Sequence, residues 1–512
     1  MPTSAFWRRH FLLHFAAVFA LGFWVVQQTR PVELPDLHLA EGERLACVSY
    51  APYHKPGQSP FDPHQRISRE QIAADLAALA KITHCVRIYA TDQGLENVPE
   101  LAAHYGLKVL LGAWIGRDAA NNRAQIEMAV QLANRYPETV RAVIVGNEVL
   151  LRREQSEAAL RAMLDEVKSR VRVPVTYADV WEFWLRHPDL AASVDFATIH
   201  ILPYWEDDPV AVEHAVEHVA AIRERMMRTL NKPVLIGETG WPSAGREREN
   251  ARPGIVEQAR FMRVFIRAAH DRGWDYNFIE AIDQPWKRLS EGTVGGYWGV
   301  LDADLNAKFP LQGAVRERAS ALPFLLASLI GAFVCGAVGL HTGTRRWRWL
   351  VGVAIGAWAG GMAWLGYEHA LVAWRDWTEW LALGAVTMAG AGLVLALVAW
   401  WARLIFALRL FVLFGATVGA LLLLADPRYR DFPLALYALP LPALLTLRGL
   451  SWRIGREEKI CAALIAVCGI GRWLMEPMNP QAQAWAALCV LLAVCAITSK
   501  ASTVPTAAQS QL

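Results

Sequence analysis

From about residue 320 onward the chain runs through one long apolar stretch after another, with its charges confined to short breaks. Seven stretches, roughly 321–340, 349–367, 379–399, 404–425, 432–447, 460–475 and 482–498, approach the ~20 apolar residues a helix needs to cross a bilayer's hydrocarbon core, the fifth being short. Residues 319–500 are therefore expected to form an all-α polytopic membrane domain of about seven helices, with residues 501–512 as a polar cytoplasmic tail. A further apolar run, Phe11 to Val26, follows Arg8 and Arg9 and precedes "QQTRP". No small-x-small cleavage site follows it, so residues 1–30 read as a signal anchor rather than a cleaved peptide, and either way the next segment is exported.

The breaks between spans alternate in charge. "RRWR" at 345–348, Arg403 and "RGLSWRIGREEK" at 448–459 are basic and belong on the cytoplasmic side; "EHALVAWRDWTEW" and "DPRYRD" are balanced and belong outside. Trp347, Trp349, Trp400 and Trp401 sit at span ends, as an interfacial belt requires. With both termini inside, residues 31–318 face outward. The charged residues nearest the spans (Glu368, Arg409, Arg472 and Glu476) fall near predicted helix ends, where snorkelling accounts for them.

Composition narrows the function classes. The chain is 54% apolar and 19% charged, both departing from soluble proteins in the membrane direction. A net charge of +3, with arginines scattered or at membrane edges, offers no nucleic-acid face. Seven cysteines show neither a C-x-x-C pair nor a Cys/His metal spacing. Five, including Cys335 and Cys468, lie in the apolar half as buried thiols; Cys47 and Cys85 fall on consecutive predicted strands, where two buried thiols are expected ahead of a disulfide.

From residue 44 the outward half alternates β-rich runs with amphipathic stretches. The strands are "RLACVSY", "HCVRIYA", "LKVLLGAW", "RAVIVGNE", "VPVTYADVW", "DFATIHILPY", "KPVLIGET" and "YNFIEAID", eight in number, as a closed parallel barrel needs. Ser68 with Gln71 three residues on is a capping-box pattern, and Ile72, Leu76 and Leu79 come next at helical spacing. Leu160, Leu164, Val167 and Val171 repeat that spacing after the fourth strand. An open doubly wound sheet would carry a Gly-rich phosphate turn after its first strand, and "VSYAPYHKPGQSP" has none. The expected fold is α/β, a (β/α)8 barrel followed by the membrane helices.

In such a barrel the C-terminal strand ends share one cleft. The fourth strand delivers Asn147 and Glu148, and the seventh delivers Glu238. Strands four and seven face each other across the mouth, so two carboxylates can converge on a sugar-sized gap. A glycosidic oxygen leaves only once protonated, and an oxocarbenium-like transition state needs a negative charge beneath it, so one carboxyl must be protonated while the other is ionised. A gap of ~5–5.5 Å lets the ionised one attack directly with retention, and a wider one admits water and inverts.

"VRIYATD", "VGNE", "GETGWPS", "EAIDQPWK" and "GGYWGVLDADLNAK", in this order over roughly residues 44 to 310, closely resemble glycoside hydrolase family 17, the retaining enzymes of β-1,3-glucan. The resemblance implies Glu148 as acid/base, Glu238 as nucleophile, Asn147 on the sugar 2-hydroxyl, and Arg87 hydrogen-bonded to Glu238 to keep it ionised. It also implies sugar contacts at strand ends: Tyr50, Tyr89, Tyr177, Trp181, His200, Tyr204 and Trp286, with Glu280 and Lys287 in the eighth-strand motif. Against each stands packing of loop on loop, and for His200 a satisfied core histidine. "DAD" at 302–304 has the look of a metal-binding D-x-D but comes after an aromatic turn and reads as a loop. No metal or organic cofactor is required, since acid, base and nucleophile are all side chains.

Bacterial proteins of similar layout are associated with building periplasmic β-1,3/β-1,6-glucans. The expected partners are thus a β-glucan and the lipid bilayer, with a separate glucan synthase as a further one, and the expected location is the bacterial inner membrane. Transglycosylation is favoured over simple endo-hydrolysis. A glycan transporter with an accessory barrel is the rival from another class.

Overall fold

A computed structural model describes residues 3–40, 42–450 and 455–497. The tail expected at 501–512 lies outside the described residues. The chain divides into two compact units, Val32–Val315 and a second made of the N-terminal helix with the residues from Arg316 onward.

In the first unit eight parallel strands close into a barrel in sequence order. They are β1 Val48–Ser49, β2 Cys85–Ile88, β3 Lys108–Ala113, β4 Val140–Asn147, β5 Val175–Val180, β6 Ala197–His200, β7 Val234–Thr239 and β8 Asp275–Phe278. Side chains alternate inside and outside the barrel wall. Leu110, Ala142, Ile144, Ala178 and Leu235 pack together inside with Cys47 and Cys85. Val109, Leu111, Val143, Val145, Ile199 and Ile236 face the surrounding helices. The helix Arg69–Leu79 begins as its sequence requires, the Ser68 hydroxyl accepting from the Gln71 amide at 3.2 Å and Ile72, Leu76 and Leu79 fully buried. Leu160, Leu164 and Val167 anchor the helix Glu157–Arg170 in the same way.

Cys47 and Cys85 correct the expectation of two free thiols. They are joined in a disulfide. The β1–β2 register pairs Val48 with Val86, which sets the preceding cysteines opposite each other inside the barrel.

Two strands break their alternation at the mouth. Between β4 and β5 the register passes from Ile144↔Thr176 to Asn147↔Ala178, and between β6 and β7 from Ile199↔Ile236 to His200↔Glu238. In each case one strand, β4 or β7, carries an extra residue, a β-bulge that re-aims the side chains beyond it. Strict alternation from the inward Leu235 would send Glu238 outward; the bulge brings it level with His200.

The second unit contains the helices Ser4–Gln28, Leu322–His341, Arg346–Ala373, Trp377–Ala399, Ala402–Ala425, Leu434–Ala438, Leu441–Gly449, Arg456–Met475 and Pro480–Ile497. Among the described residues six are long and apolar enough to cross a membrane. The expected span at 432–447 is instead two short helices parted at Leu439 and Pro440, because proline brings no N–H and its ring clashes with the preceding turn. Arg456–Met475 is not among the six; charges at Glu457, Glu458, Lys459 and Arg472 dilute its ends.

The helices Leu322–His341 and Arg346–Ala373 meet backbone to backbone. A Cβ on Gly331 would lie 2.1 Å from the Gly356 carbonyl oxygen, and one on Gly360 2.1 Å from that of Ala327. Small residues permit this approach, on which helix association in lipid depends. Arg409 corrects the snorkelling account: it lies about two turns inside Ala402–Ala425 with its side chain 4% exposed, donating to Glu458 at 2.6 and 2.8 Å. Arg472 pairs with Glu476 at 2.6 Å, and Glu368 with Arg318.

Candidate active site

Glu148 comes directly after β4. Gly146 (φ +85°) makes the turn, and Glu148 itself adopts φ +53°, a left-handed conformation uncommon for a non-glycine residue and frequent at functional sites. Its amide donates to the Ala178 carbonyl at 2.8 Å, and its own carbonyl accepts from the Arg152 amide at 2.9 Å. Arg152 then folds back to donate to the carbonyls of Asn147 and Ile115, with its guanidinium 4.3 Å over the Trp114 ring. The loop is fixed from below by Tyr177, whose hydroxyl accepts from the Leu150 amide at 3.0 Å and donates to Asp179.

Glu238 sits deeper, with its side chain 7% exposed. Its Oε1 accepts from the Tyr89 hydroxyl at 2.8 Å and from Arg87 Nη1 at 3.3 Å. Arg87 is buried and tied on both sides, to the Gly237 carbonyl and to Asn147 Oδ1, each at 2.6 Å. One guanidinium thus holds the ends of β4 and β7 in a fixed relation.

His200 lies between the two glutamates with no exposed surface. Its Nδ1 is 3.0 Å from Glu148 Oε1, and its Nε2 is 3.5 Å from Glu238 Oε1. One oxygen of each carboxylate and one ring nitrogen lie within 4.8 Å of one another. Such a donor set can hold a metal ion, but Arg87 Nη1 stands 3.3 Å from Glu238 Oε1 and 3.4 Å from His200 Nε2, and already supplies the positive charge on that side.

Protonation is set by the surroundings. Burial pushes the Glu148 carboxyl up, but the hydrogen bond from His200 and the charges of Arg152 and Arg87 outweigh it and leave the group below the ordinary carboxylate range. Burial, reinforced by the charge of Glu238, raises Tyr89 well above the ordinary phenol, so it stays a donor. Burial lifts Glu280 to about 7, which Lys287, donating at 2.8 Å, only partly offsets.

The remaining expected contacts divide. Trp181, the first residue of the helix Trp181–Arg186, and Trp286, in the short 3-10 turn Pro285–Lys287, are half-buried, their indole N–H groups held by Glu206 and by Gln284. Tyr89 and His200 touch the glutamates. Tyr50, Tyr177 and Tyr204 correct the expectation of sugar contact: all three are buried, their hydroxyls spent on Asp75, Asp179 and the Arg246 carbonyl. They pack beneath the loops. Glu280 is likewise buried and paired with Lys287, whose side chain is 14% exposed. Asp302 binds the amides of Asp304 and Asn306, which makes the D-x-D a turn, as expected.

Sequence reasoning missed Asp179 and Glu291. Burial, helped by the charge of Glu148, raises Asp179 to about 6, and burial also raises Glu291, which feels Glu148 and Glu238. Asp179 could have been found as the carboxylate two residues on from Tyr177 near the end of β5. Also missed was the stacked pair Trp205 and Trp298, centroids 6.4 Å apart, contributed by two different loops.

Residues 47–299 match the family model described as the BtgE/BtgC glycoside hydrolase domain. Similar curated proteins include the "Probable glucan endo-1,3-beta-glucosidase btgC" of Aspergillus fumigatus, 28% identical over 47% of this chain and 39% of that protein. The "Probable beta-glucosidase btgE" of Aspergillus flavus is 27% identical over 50% of this chain and 42% of that one. The chain thus spans about two-fifths of the length of these relatives. A solved β-1,3-glucanosyltransferase of Rhizomucor miehei, an active-site mutant in complex with laminaritriose, covers 54% of this chain and 98% of its own, with 23% identity and a TM-score of 0.47.

Proposed function

Given that residues 47–299 are a glycoside hydrolase domain of the family-17, BtgE/BtgC type, we propose that this chain is a membrane-bound retaining enzyme of β-1,3-glucan that passes a glycosyl group to a glucan acceptor. Glu148 is its acid/base and Glu238 its nucleophile. The observation that carries the reading is the approach of carboxylate oxygens from β4 and β7 to within 4.8 Å. An approach this close between their nearest oxygens supports direct attack, whereas an inverting pair keeps its two carboxyl groups ~6.5–9.5 Å apart to admit a water.

In the first step a lone pair of the Glu238 carboxylate forms a bond to the anomeric carbon as the C–O bond breaks. The bonding electrons go to the leaving oxygen, which takes the proton of Glu148. Asn147, oriented by Arg87, is placed to meet the 2-hydroxyl. In the second step Glu148, now ionised, takes a proton from the acceptor hydroxyl as the acceptor displaces Glu238. Water as acceptor gives endo-hydrolysis; a glucan hydroxyl gives a new β-1,3 or β-1,6 link. The apolar helices favour the latter, since a builder of glucan gains by staying where polymer emerges.

Location at a bacterial inner membrane, with the barrel on the periplasmic face, is supported by the alternating charge of the span ends and by the Cys47–Cys85 disulfide, which persists in oxidising compartments. A separate synthase would supply the glucan. The transporter reading draws little from the ionisable groups of the helical unit, because Arg409, Arg472 and Glu368 each have a partner of opposite charge.

The test is to incubate the protein with reduced β-1,3-gluco-oligosaccharides and follow product mass and linkage, with Glu238→Gln as control. Products longer than the donor, with little new reducing sugar, are expected. Fragments alone would make it a tethered endoglucanase, and no turnover above the control would overturn the enzymatic reading.

A further inference from the structure

Resting on the assignment of Glu148 as acid/base, we propose that His200 is a positioning residue: it pins one oxygen of Glu148 so that the transferable proton resides on the other, and Arg87 fixes the histidine tautomer that does this.

Arg87 sets the tautomer because a guanidinium has donors and no acceptor. Nη1 of Arg87 lies 2.6 Å from the Gly237 carbonyl, 3.3 Å from Glu238 Oε1 and 3.4 Å from His200 Nε2. With one hydrogen given to Gly237, the other is shared between the carboxylate and the imidazole, so the nitrogen turned towards Arg87 accepts. The ring proton then belongs to Nδ1, which donates to Glu148 Oε1 at 3.0 Å. An oxygen that accepts this bond is the poorer place for the carboxyl's own proton, which is left on Oε2, the oxygen to which His200 gives no bond.

The groups facing the ring come from four strands, and Glu238 Oε1, 3.5 Å from Nε2, already takes the donors of Arg87 and Tyr89. From β2 come Arg87 and, beyond it, Tyr89 on Glu238. From β4 comes Glu148 with Arg152 in the next loop, from β5 Asp179, and from β7 Glu238. The ring is held by shape as well: a Cβ on Gly237 would stand 3.1 Å from His200 Cδ2 and 2.4 Å from Thr198 Cγ2, so the ring packs where only glycine leaves room. Being fully buried, His200 presents no face to a sugar. One guanidinium therefore orients the nucleophile directly and the acid through an intervening imidazole.

A histidine that acts through Glu148 matters only where the leaving group needs a proton. The full-length protein in nanodiscs is assayed on a β-1,3-gluco-oligosaccharide and on the same donor carrying a 2,4-dinitrophenolate leaving group, which departs unprotonated. His200→Phe keeps a ring and removes the donor; His200→Asn restores an N–H near the Nδ1 position. The expected result is a loss of about 100-fold in kcat/KM on the oligosaccharide for His200→Phe, a loss of at most about fivefold on the aryl donor, and recovery of most of the deficit in His200→Asn. Equal losses on both donors would mean a merely structural role and would overturn the inference, as would an unchanged oligosaccharide rate. If the wild type turns over neither donor, the glycosidase reading itself falls and takes this inference with it.

Discussion

Tyr89 donates its hydroxyl to Oε1 of Glu238 at 2.8 Å, although one residue directly follows strand β2 and the other lies on β7. The phenol also meets Ser49 Oγ at 2.8 Å, so its ring is fixed from the neighbouring strand as well. A donor held in place by three strands fixes the orientation of the Glu238 carboxylate. Replacing Tyr89 by Phe removes one bond to a charged acceptor, worth about 1.5–3 kcal/mol. With Glu238 as the proposed nucleophile, turnover of β-1,3-glucan should fall by about 10- to 100-fold, on activated and unactivated donors alike, since that group would serve both.

Glu148 is held below the ordinary carboxylate range in part by the charge of Arg152. An acid must be protonated to act, so kcat/KM falls as pH rises through the value of Glu148, and a lowered value places that fall at acidic pH. Arg152→Gln removes one lowering charge. The alkaline limb of the kcat/KM profile should therefore move to higher pH; a limb that stays or moves lower would contradict the assignment of Glu148 as acid.

Asp179 has no exposed surface, and burial raises it to about 6. The folded form then holds its proton more tightly than the unfolded chain. Its contribution to stability is complete below about pH 4 and is lost as pH rises through about 6. The loss amounts to roughly 3 kcal/mol across that window. Thermal midpoints measured from pH 4 to 7 should decline less steeply in Asp179→Asn than in the wild type, whatever the absolute midpoint of the variant.

In the helical unit Arg409 and Glu458 form a two-bond pair, their side chains 4% and 1% exposed. Removing either partner alone leaves a buried, uncompensated charge, at a cost of about 3–5 kcal/mol. Arg409→Leu and Glu458→Leu should each lower the recovery of folded protein from the membrane. The double variant should recover much of it, which size-exclusion profiles of the solubilised protein would show.

Gly356 faces the Gly331 carbonyl oxygen, and a Cβ there would lie 2.3 Å from it. Gly356→Val must push the two helices apart, costing about 1–3 kcal/mol or more. A glycine with open space around it, Gly384, provides the comparison. Gly384→Ala should leave the thermal midpoint of the solubilised protein nearly unchanged while Gly356→Val lowers it.

Much of this molecule was legible in its sequence because period, capping and strand-end chemistry are local. Eight β-rich runs predicted the eight strands, Ser68 and Gln71 predicted a helix start, and the ordered motifs around Glu148 and Glu238 predicted a glycoside hydrolase. The apolar half could be read as helices for the same reason. The fifth span was misjudged because hydropathy averages over Pro440, whereas the backbone cannot.

The tertiary structure decided which way side chains point and whom they meet. Tyr50, Tyr177 and Tyr204 lie in or after the strands of the same barrel as Tyr89 does, yet they turn towards Asp75, Asp179 and the Arg246 carbonyl while Tyr89 turns to Glu238. Two bulges, one in β4 and one in β7, bring Asn147 and Glu238 to face the cleft against strict alternation. Each bulge falls at a strand glycine, Gly146 or Gly237, but a glycine alone does not fix the register, which is a property of two strands and appears only when both are paired. By itself the sequence determined the barrel, the apolar helices and the strand-end positions of two glutamates; the pairing of strands and helices decided that His200 and Arg87 stand between those glutamates, that two cysteines bond, and that Arg409 is buried, since each depends on distances between residues far apart in the chain.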